Sequence, residues 1–403
     1  MMPVYGTVQR SCVALLSSQP VDISRCLSCP CIVVTHKEYM QRALDLAFPI
    51  RGFVSPNPCV GAIVVKDGRI VAEGVHRKAG APHAEADALE KAGTDALDAT
   101  LYCTLEPCNH HGRTPPCTEA IIASGISEVV IASEDPNPHV AGKGAERLRK
   151  SGISVIEGVL REDADHMVRE FLHVCREGRP WVVSKTASSL DGKVATASGE
   201  SRWITSPSAR QHGHRLRHEV DAVIVGAGTV IADDPTLSVR LPGGPWSQPT
   251  RVVMDSAGRC HPDAHVFDPS GAPSPVLVTT EAISASRRAA FEKRDVRVVV
   301  VEATPEGQVH PRALLEAVMK LGIQSLLIEG GPAITGSFLE HDLIDEVVTY
   351  LSPSIIGGSG ARGAVGGSGR LQLDQRLWLD NVSVERCGSD IVVSGLTKRN
   401  SHL

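Results

Sequence analysis

The sequence predicts an α/β protein with two layered domains. Strand-like apolar runs alternate with helix-like stretches, and this alternation is interrupted by a charged Gly/Pro pentapeptide at 176–180. The chain has 403 residues, enough for two or three domains of ordinary size. We therefore expect one domain over 35–176 and a second over 180–403, preceded by a leader, residues 1–34, of unknown role.

The first domain is predicted to begin with a helix. Thr35 and Glu38 form a capping-box pattern, and apolar residues recur at helical spacing over 40–47. An Asp-Gly turn at 67–68 then joins two apolar runs, which predicts a β-hairpin. Helices and strands continue to alternate behind the hairpin, with predicted helices at 83–91 and 117–123 and predicted strands at 100–105 and 128–132.

The second domain repeats the alternation. Short apolar runs predict seven strands, with helical stretches between several of them. The predicted strands are 181–186, 222–225, 250–254, 276–279, 296–301, 325–329 and 346–351. A Gly-rich stretch at 357–369 is expected to be a mobile surface loop.

Composition excludes several functional classes. Hydrophobic residues make up 42% and charged residues 22%, which predicts a soluble globular protein. A net charge of -5 and only 3% aromatic residues argue against a nucleic-acid binder. No apolar run approaches the roughly 18 residues of a membrane helix. Eleven scattered cysteines predict reduced thiols, so we expect a cytoplasmic protein without a nucleic-acid or membrane partner.

The leader contains a cysteine-rich pattern, Cys26-Leu-Ser-Cys29-Pro-Cys31. Such a pattern is compatible with a zinc site, but no second ligand pair follows at finger spacing. A non-functional leader is therefore the favoured interpretation.

A candidate zinc site lies in the first domain. His83 and Glu85 stand at the expected start of a helix, Cys108 follows a strand, and Cys117 begins another helix. One imidazole and two thiolates leave a zinc ion an open position, where the pKa of a bound water falls to about 7. Glu85, two residues from the ligand histidine, is placed to move protons between that water and a leaving ammonia. The pattern is typical of the zinc deaminases, although eight residues rather than two separate the cysteines.

Two alternatives compete with the catalytic interpretation. In the first, Cys108 and Cys117 are core thiols and His83 is a surface histidine. Alternatively, His110 or His111 supplies a fourth ligand, which would close the site and make it structural.

The stretch Thr104–Cys117 closely resembles the riboflavin-biosynthesis pyrimidine deaminases, whose family has this longer cysteine spacing. Asn57–Ala62 and Asp135–Pro138 match the same family, and the resemblance runs from about residue 36 to the C-terminus. It implies a cytidine-deaminase-like α/β/α layer for the first domain.

Two glycine-rich segments in the second domain are candidate phosphate cradles. Gly226-Ala227-Gly228 follows a predicted strand but lacks the third glycine of a dinucleotide fingerprint, so a tight turn is at least as good an interpretation. Glu329-Gly330-Gly331-Pro332 stands between a strand and a helix, where exposed N–H groups favour a phosphate.

The second domain resembles the reductase half of the bifunctional family, through Lys185–Lys193, Ser201–Thr205, Asp233–Leu237 and Glu329–Gly331. The resemblance implies a dihydrofolate-reductase-like α/β fold and NADPH as cofactor. It implies a cofactor site formed by Ala187, Trp203, Thr229, Asp233, Ser256, Gly331, Pro332, Ala333, Ile334, Thr335, Gly336 and Ser337. It also implies substrate contacts from Ser201, Arg217, Leu237, Arg240 and Glu329. Arginines suit a phosphorylated substrate because guanidinium groups bind phosphate bidentately.

The resemblance implies a bifunctional enzyme that deaminates a phosphorylated diaminopyrimidine with zinc and then reduces its ribosyl group with NADPH. Its partner is then a small molecule, and we expect a homo-oligomer. A nucleic-acid base deaminase is one alternative, which the acidic charge and few aromatic residues disfavour. A zinc-stabilised nucleotide sensor without activity is another.

Overall fold

Two large β-sheets organise the chain, one in each predicted domain. The computed structural model describes residues 34–111, 115–137, 142–270 and 273–398. The Cys26–Cys31 pattern lies outside these residues, as does nearly all of the predicted leader. From His36 onward the described chain forms one compact unit.

The first sheet has five strands, flanked by six helices. The strands are β1 Gly61–Lys66, β2 Arg69–Val75, β3 Thr100–Leu105, β4 Glu128–Ser133 and β5 Ser154–Glu157. The helices are α1 His36–Ala47, α2 Ala84–Ala92, α3 Cys117–Ser124, α4 Lys143–Lys150, α5 Arg161–Met167 and α6 Arg169–Glu177. The strand order is β2-β1-β3-β4-β5; β1 is antiparallel to both neighbours, and the other pairs are parallel.

Local sequence accounts for the start of this domain. Helix α1 begins directly after Thr35 and buries its apolar face against the sheet. The hairpin turns at Asp67 and Gly68, which both have positive φ (50° and 73°), the backbone conformation that an Asp-Gly turn favours. Both features were predicted from the sequence, and the structure confirms them.

The second sheet has nine strands. In the second half of the chain the strands are β6 Trp181–Ser189, β7 Lys193–Ala195, β8 Ala222–Gly226, β9 Thr250–Met254, β10 Val276–Thr279, β11 Arg297–Val300, β12 Ser325–Ile328, β13 Glu346–Ser352, β14 Arg362–Gly363, β15 Leu379–Cys387 and β16 Asp390–Thr397. The order is β11-β10-β9-β8-β12-β6-β13-β16-β15, parallel from β11 to β13 and antiparallel beyond; β7 and β14 form a separate pair.

Five helices accompany this sheet: α7 Pro207–Glu219, α8 Ala227–Asp233, α9 Ala285–Glu292, α10 Pro311–Met319 and α11 Pro332–Glu340. Apolar clusters fill both faces of its parallel part. No helix in the described part of the chain is long and apolar enough to span a bilayer.

The Gly-rich stretch 357–369 differs from the mobile loop expected of it. Arg362 and Gly363 pair with β7, and the Gly366 N–H donates to the Pro332 carbonyl at 2.9 Å. Gly336 has no room for a Cβ, which would lie 2.3 Å from the Gly366 carbonyl oxygen. The glycines therefore permit close packing against α11 and do not form a detached loop.

A buried ion pair anchors the connection between the halves. Arg179, between α6 and β6, donates to both carboxylate oxygens of Asp345 at 2.7 and 2.6 Å. Asp345 also accepts the Val182 N–H at 2.9 Å and is fully buried. Burial, the largest single influence, would raise the pKa of Asp345, but the hydrogen bonds and charge of Arg179, the charge of His173 and the Val182 N–H together outweigh it and hold the pKa below its usual range.

We expect Arg179→Met to lower the free energy of unfolding by about 3–5 kcal/mol, because it leaves a buried carboxylate unpaired. The control is Arg42→Met, whose pair with Glu73 is exposed and is worth about 1 kcal/mol or less. Urea unfolding measures both losses. Because the pKa of Asp345 is depressed, its ionised carboxylate stabilises the fold near neutral pH and this stabilisation is lost on acidification. The difference in unfolding free energy between the parent and Arg179→Met should therefore narrow as the pH falls. Equal small losses would contradict a stabilising role of the pair.

Candidate active sites

The first cavity has a volume of about 400 Å³ and lies in the first domain, near the end of β3 and the starts of α2 and α3. His83 directly precedes α2, Cys108 follows β3, and Cys117 is the first residue of α3. The strand and the two helix starts therefore bring together three residues that are up to 34 positions apart in sequence.

The three side chains have the spacing of metal ligands. His83 Nδ1 lies 3.2 Å from Cys117 Sγ and 3.5 Å from Cys108 Sγ, and all three ligand atoms lie within 4.8 Å of one another. Tetrahedral zinc with Zn–S of about 2.3 Å and Zn–N of about 2.0 Å separates its ligands by roughly 3.5 Å, so the cluster fits zinc. Among the described residues it is the only such cluster, and neither His110 nor His111 belongs to it.

The local electrostatics favour a thiolate. The hydrogen bond from the Cys117 thiol, with a smaller contribution from His83, lowers the pKa of Cys108 to about 4. The same hydrogen bond raises the pKa of Cys117, because one proton is shared between the two sulfurs. The Cys117 N–H, at the start of α3, also points to Cys108 Sγ at 3.4 Å. A cation at this position would complete the deprotonation of both thiols.

Glu85 lies beside the cluster but is not part of it. Its side chain lines the cavity and is only 4% exposed. Burial, reinforced by the negative charge of Cys108, raises the pKa of Glu85 to about 7. A carboxyl group with this pKa both accepts and releases a proton near neutral pH, as a general acid–base must.

A hydrogen-bonded pair that the sequence analysis did not single out as site residues lines the same cavity. His76 donates from Nδ1 to the Pro82 carbonyl at 3.0 Å and accepts from the Asn57 amide at Nε2, at 2.9 Å. Its ring packs edge-on against His83 at 5.3 Å between centroids. Asn57 belongs to the Asn57–Ala62 segment that resembles the deaminase family, so the sequence did point to it. His76 follows a strand and belongs to no motif, so the sequence did not point to it.

Glu106 also lines this cavity. Its carboxylate accepts backbone N–H groups from Asp135, Gly142, Gly144 and Ala145 at 2.9–3.4 Å, which holds the start of α4 in place. Asp135 lines the cavity, and burial raises its pKa to about 6.

The second cavity, of about 370 Å³, opens at the carboxyl ends of β8 and β12, beside β6. Parallel sheets commonly bind ligands at this edge. Many of the predicted cofactor and substrate residues line it: Ala187, Ser201, Thr229, Asp233, Glu329, Gly331, Pro332, Ala333 and Ile334.

Other predicted residues do not line this cavity. Trp203 is 70% exposed and stacks on Arg210 at 4.4 Å. Ser256 accepts the Val309 N–H at 3.0 Å, beyond the end of β9. The remaining predicted residues outside the lining are Arg217, Leu237, Arg240, Thr335, Gly336 and Ser337.

Glu329 is the charged centre of the second cavity. Arg217 donates to both of its oxygens at 2.6 and 3.0 Å, and Lys185 Nζ lies 3.5 Å away. Burial alone would raise the pKa of Glu329, but Arg217 and Lys185 outweigh it and lower the pKa to about 2. Arg217 also donates to the Ser238 carbonyl at 2.9 Å. Its contacts are thus to protein groups, which fix the orientation of Glu329.

The cavity has the features of a dinucleotide site. Gly226 and Gly228, whose sequence signal was weak, line it together with Gly331 at the start of α11. A Cβ on Gly330 would lie 2.1 Å from Ile334 Cγ2, so the chain needs glycine there. Small residues and a helix start fit an anionic cofactor such as NADPH.

Family models match both halves. The model "Cytidine and deoxycytidylate deaminase zinc-binding region" matches residues 33–133, and "RibD C-terminal domain" matches residues 180–393. These matches confirm the predicted fold class, a cytidine-deaminase-like domain followed by an α/β reductase domain.

Relatives match along most of their length. "Riboflavin biosynthesis protein RibD" of Actinobacillus pleuropneumoniae is 42% identical over 360 residues, covering 89% of this chain and 95% of the relative. The Escherichia coli (strain K12) protein of that name is 42% identical over 339 residues, covering 81% and 89%.

Solved structures agree with this. Acinetobacter baumannii RibD has a TM-score of 0.81 at 36% identity, covering 90% of this chain and 98% of that chain. A Thermotoga maritima deaminase/reductase has a TM-score of 0.78 at 38% identity, with the same coverage. The chain therefore belongs to the RibD family of riboflavin biosynthesis, bifunctional enzymes that join a zinc-binding deaminase domain to an NADPH-dependent reductase domain.

Proposed function

We propose that the chain converts 2,5-diamino-6-(5-phosphoribosylamino)pyrimidin-4(3H)-one to 5-amino-6-(5-phosphoribitylamino)uracil in two steps, deamination first. The observation that carries this proposal is the pair of separate cavities, one with a His-Cys-Cys cluster beside a buried glutamate and one with a glycine-rich helix start. The name of the Thermotoga maritima relative, a diaminohydroxyphosphoribosylaminopyrimidine deaminase and 5-amino-6-(5-phosphoribosylamino)uracil reductase, supports these substrates.

In the first step His83, Cys108 and Cys117 would hold the zinc ion. When bound, zinc supplies a Lewis acid that makes a water molecule nucleophilic near neutral pH. Glu85 takes the proton of the attacking water and delivers it toward the departing amino nitrogen. The carbon–nitrogen bond breaks, ammonia leaves, and a ring carbonyl forms.

In the second step the second cavity, which we call the reductase cavity, would hold cofactor and sugar together. When bound, NADPH would supply the hydride for reduction of the opened sugar at C1′, and the proton that completes the reduction would come from solvent. Glu329 stays ionised throughout, since Arg217 and Lys185 hold its pKa low, so it serves to orient hydroxyl or ammonium groups and not to donate a proton. The cofactor and substrate roles inferred from the resemblance stay proposals for the remaining predicted residues.

The decisive experiment incubates the purified chain with NADPH and the diaminopyrimidine nucleotide and follows ammonia and NADPH absorbance together. Both signals should change, with ammonia release first. NADPH oxidation without ammonia would contradict the proposed order, and ammonia without NADPH oxidation would contradict the second step.

Zinc content tests the proposed ligands. We expect about one zinc per chain in the parent protein and loss of metal and deaminase activity in Cys117→Ser, because zinc with two protein ligands is held weakly. Cys175→Ser, at a half-buried thiol of α6, is the control and should keep its metal. Elemental analysis of both variants decides; a full zinc complement in Cys117→Ser would remove Cys117 from the ligand set.

We also propose that the enzyme is cytoplasmic, has no nucleic-acid or membrane partner, and divides into domains at 35–176 and 180–403. A homo-oligomer is supported by exposed apolar side chains on the edge hairpin β15–β16, Val382, Val384 and Ile391. Edge strands with such a face are natural sites for pairing with a second copy. Sedimentation equilibrium should give a multiple of the chain mass that falls to the monomer in Val384→Lys.

A further inference from the structure

The loop between α1 and β1, residues 51–58, contacts the reductase half at its first residues. We call it the α1–β1 loop. Gly52 has φ of +80°, and a Cβ there would lie 2.0 Å from the His218 carbonyl oxygen. Arg51 Nη1 lies 3.4 Å from Glu219, the last residue of α7. The loop therefore packs against the C-terminal end of α7 with no space to spare.

The other end of the same loop forms a wall of the first cavity, which we call the deaminase cavity. Pro56, Asn57 and Pro58 line that cavity. Asn57 donates to His76, whose ring packs against the proposed zinc ligand His83. Only three residues, 53–55, separate Gly52, which touches α7, from Pro56, which lines the cavity.

Ion pairs of Arg51 and its neighbours form a second connection between the reductase half and the deaminase cavity. The Arg51 guanidinium donates to Glu170 at 2.6 Å, near the start of α6, and the next residue, Phe171, also lines the deaminase cavity. Arg169, on the other side of Glu170, donates to Glu346 of β13 at 3.1 Å. These side chains are largely buried, so their ion pairs hold geometry that exposed pairs would not.

Helix α7 serves the reductase cavity as well. Arg217, which fixes Glu329, stands two residues before Glu219. The end of one helix thus contacts Glu329 of the second site and the loop that carries wall residues of the first.

We propose that the α1–β1 loop, seated on the end of α7 through Arg51 and Gly52, is a positioning segment for the deaminase substrate. The reductase half then sets the position of Asn57 and Phe171 without touching the reacting atoms. A small displacement at these wall residues changes substrate binding and alignment, while the zinc ligands and Glu85 stay on their own elements. This inference rests on the deaminase site proposed above.

The test compares Gly52→Ala with Gly152→Ala in the full chain. Both glycines have similar positive φ (+80° and +86°), but a Cβ at Gly152 meets nothing within 4 Å. We expect Gly52→Ala to raise the KM for ammonia release about tenfold, with a smaller change in kcat and unchanged zinc content. Gly152→Ala should lower the melting temperature without changing KM. A KM for Gly52→Ala equal to that of Gly152→Ala would overturn the proposal.

A second variant decides the matter if Gly52→Ala does not fold. Glu219→Gln removes the charge across the junction while Arg51 keeps Glu170, and Glu73→Gln, at an exposed pair, is its control. We expect a higher deaminase KM in Glu219→Gln only, partly restored in Glu219→Asp. An unchanged KM would overturn the positioning role. A parent chain that releases no ammonia would instead overturn the proposed function, and this inference with it.

Discussion

Glu85→Gln should reduce ammonia release by about a thousandfold while zinc stays bound, because the amide cannot carry the proton that the carboxylate moves. The substitution keeps the size of the side chain and removes only its titration, which burial now places near pH 7. The ligand atoms of His83, Cys108 and Cys117 are unchanged. Ammonia release and elemental zinc analysis on the same preparation measure the two effects.

Glu90→Gln, at an exposed position of the same helix, is the control and should keep the parent rate. NADPH oxidation by Glu85→Gln on the already deaminated nucleotide should stay within about twofold of the parent, because distant sites act independently. Near-parent ammonia release would remove Glu85 from its role. Loss of NADPH oxidation would mean that the two cavities do not work as separate sites.

Glu329→Ala should lower NADPH oxidation on the deaminated nucleotide by about a hundredfold or more, because Arg217 and Lys185 lose the anion they share inside a buried cavity. Arg217→Ala should act in the same direction by releasing Glu329. Ammonia release should continue in both variants. The measurement is a crossed assay of each variant against each substrate.

Glu340→Ala, at the far end of α11, controls for damage to that helix and should retain the parent NADPH oxidation rate. If Glu329→Ala kept the parent rate, the carboxylate would have no part in the reduction. A parallel fall in ammonia release would point to general unfolding, which thermal melting distinguishes.

The clustering of His83, Cys108 and Cys117 was predictable because these residues stand at element ends that local sequence defines. His83 and Cys117 stand at helix starts and Cys108 at a strand end, so order along the chain was enough to place them together. The partnership of His76 with Asn57 was not predictable, because it depends on how a hairpin and a loop meet in space. The protein contacts of Arg217 were also not predictable from sequence: it donates to Glu329 and to the Ser238 carbonyl, whereas its predicted contact with a phosphorylated substrate stays a prediction.

The fold was predictable where apolar runs are buried on both faces, as in β8, β9 and β10. The hairpin β15–β16 was missed because β15 is largely exposed on both faces and mixes Asn381, Val384 and Glu385 without alternation. Strand β5 was missed because it is short and half-buried. The Gly-rich stretch 357–369 was misjudged because glycine permits both mobility and close packing, and only the neighbouring helix decides between them.

The buried ion pair of Arg179 and Asp345 affects how firmly the two halves of the chain stay connected. Only Gly178–Pro180 connect α6 to β6, and the middle residue is locked into the core of the second sheet. A protease finds no loose linker at this connection, and damage that opens it disturbs both halves together. Because a single chain carries both proposed sites, the two sites are made in a one-to-one ratio. Within this chain, the balance between the two activities is therefore set by the rate of each site.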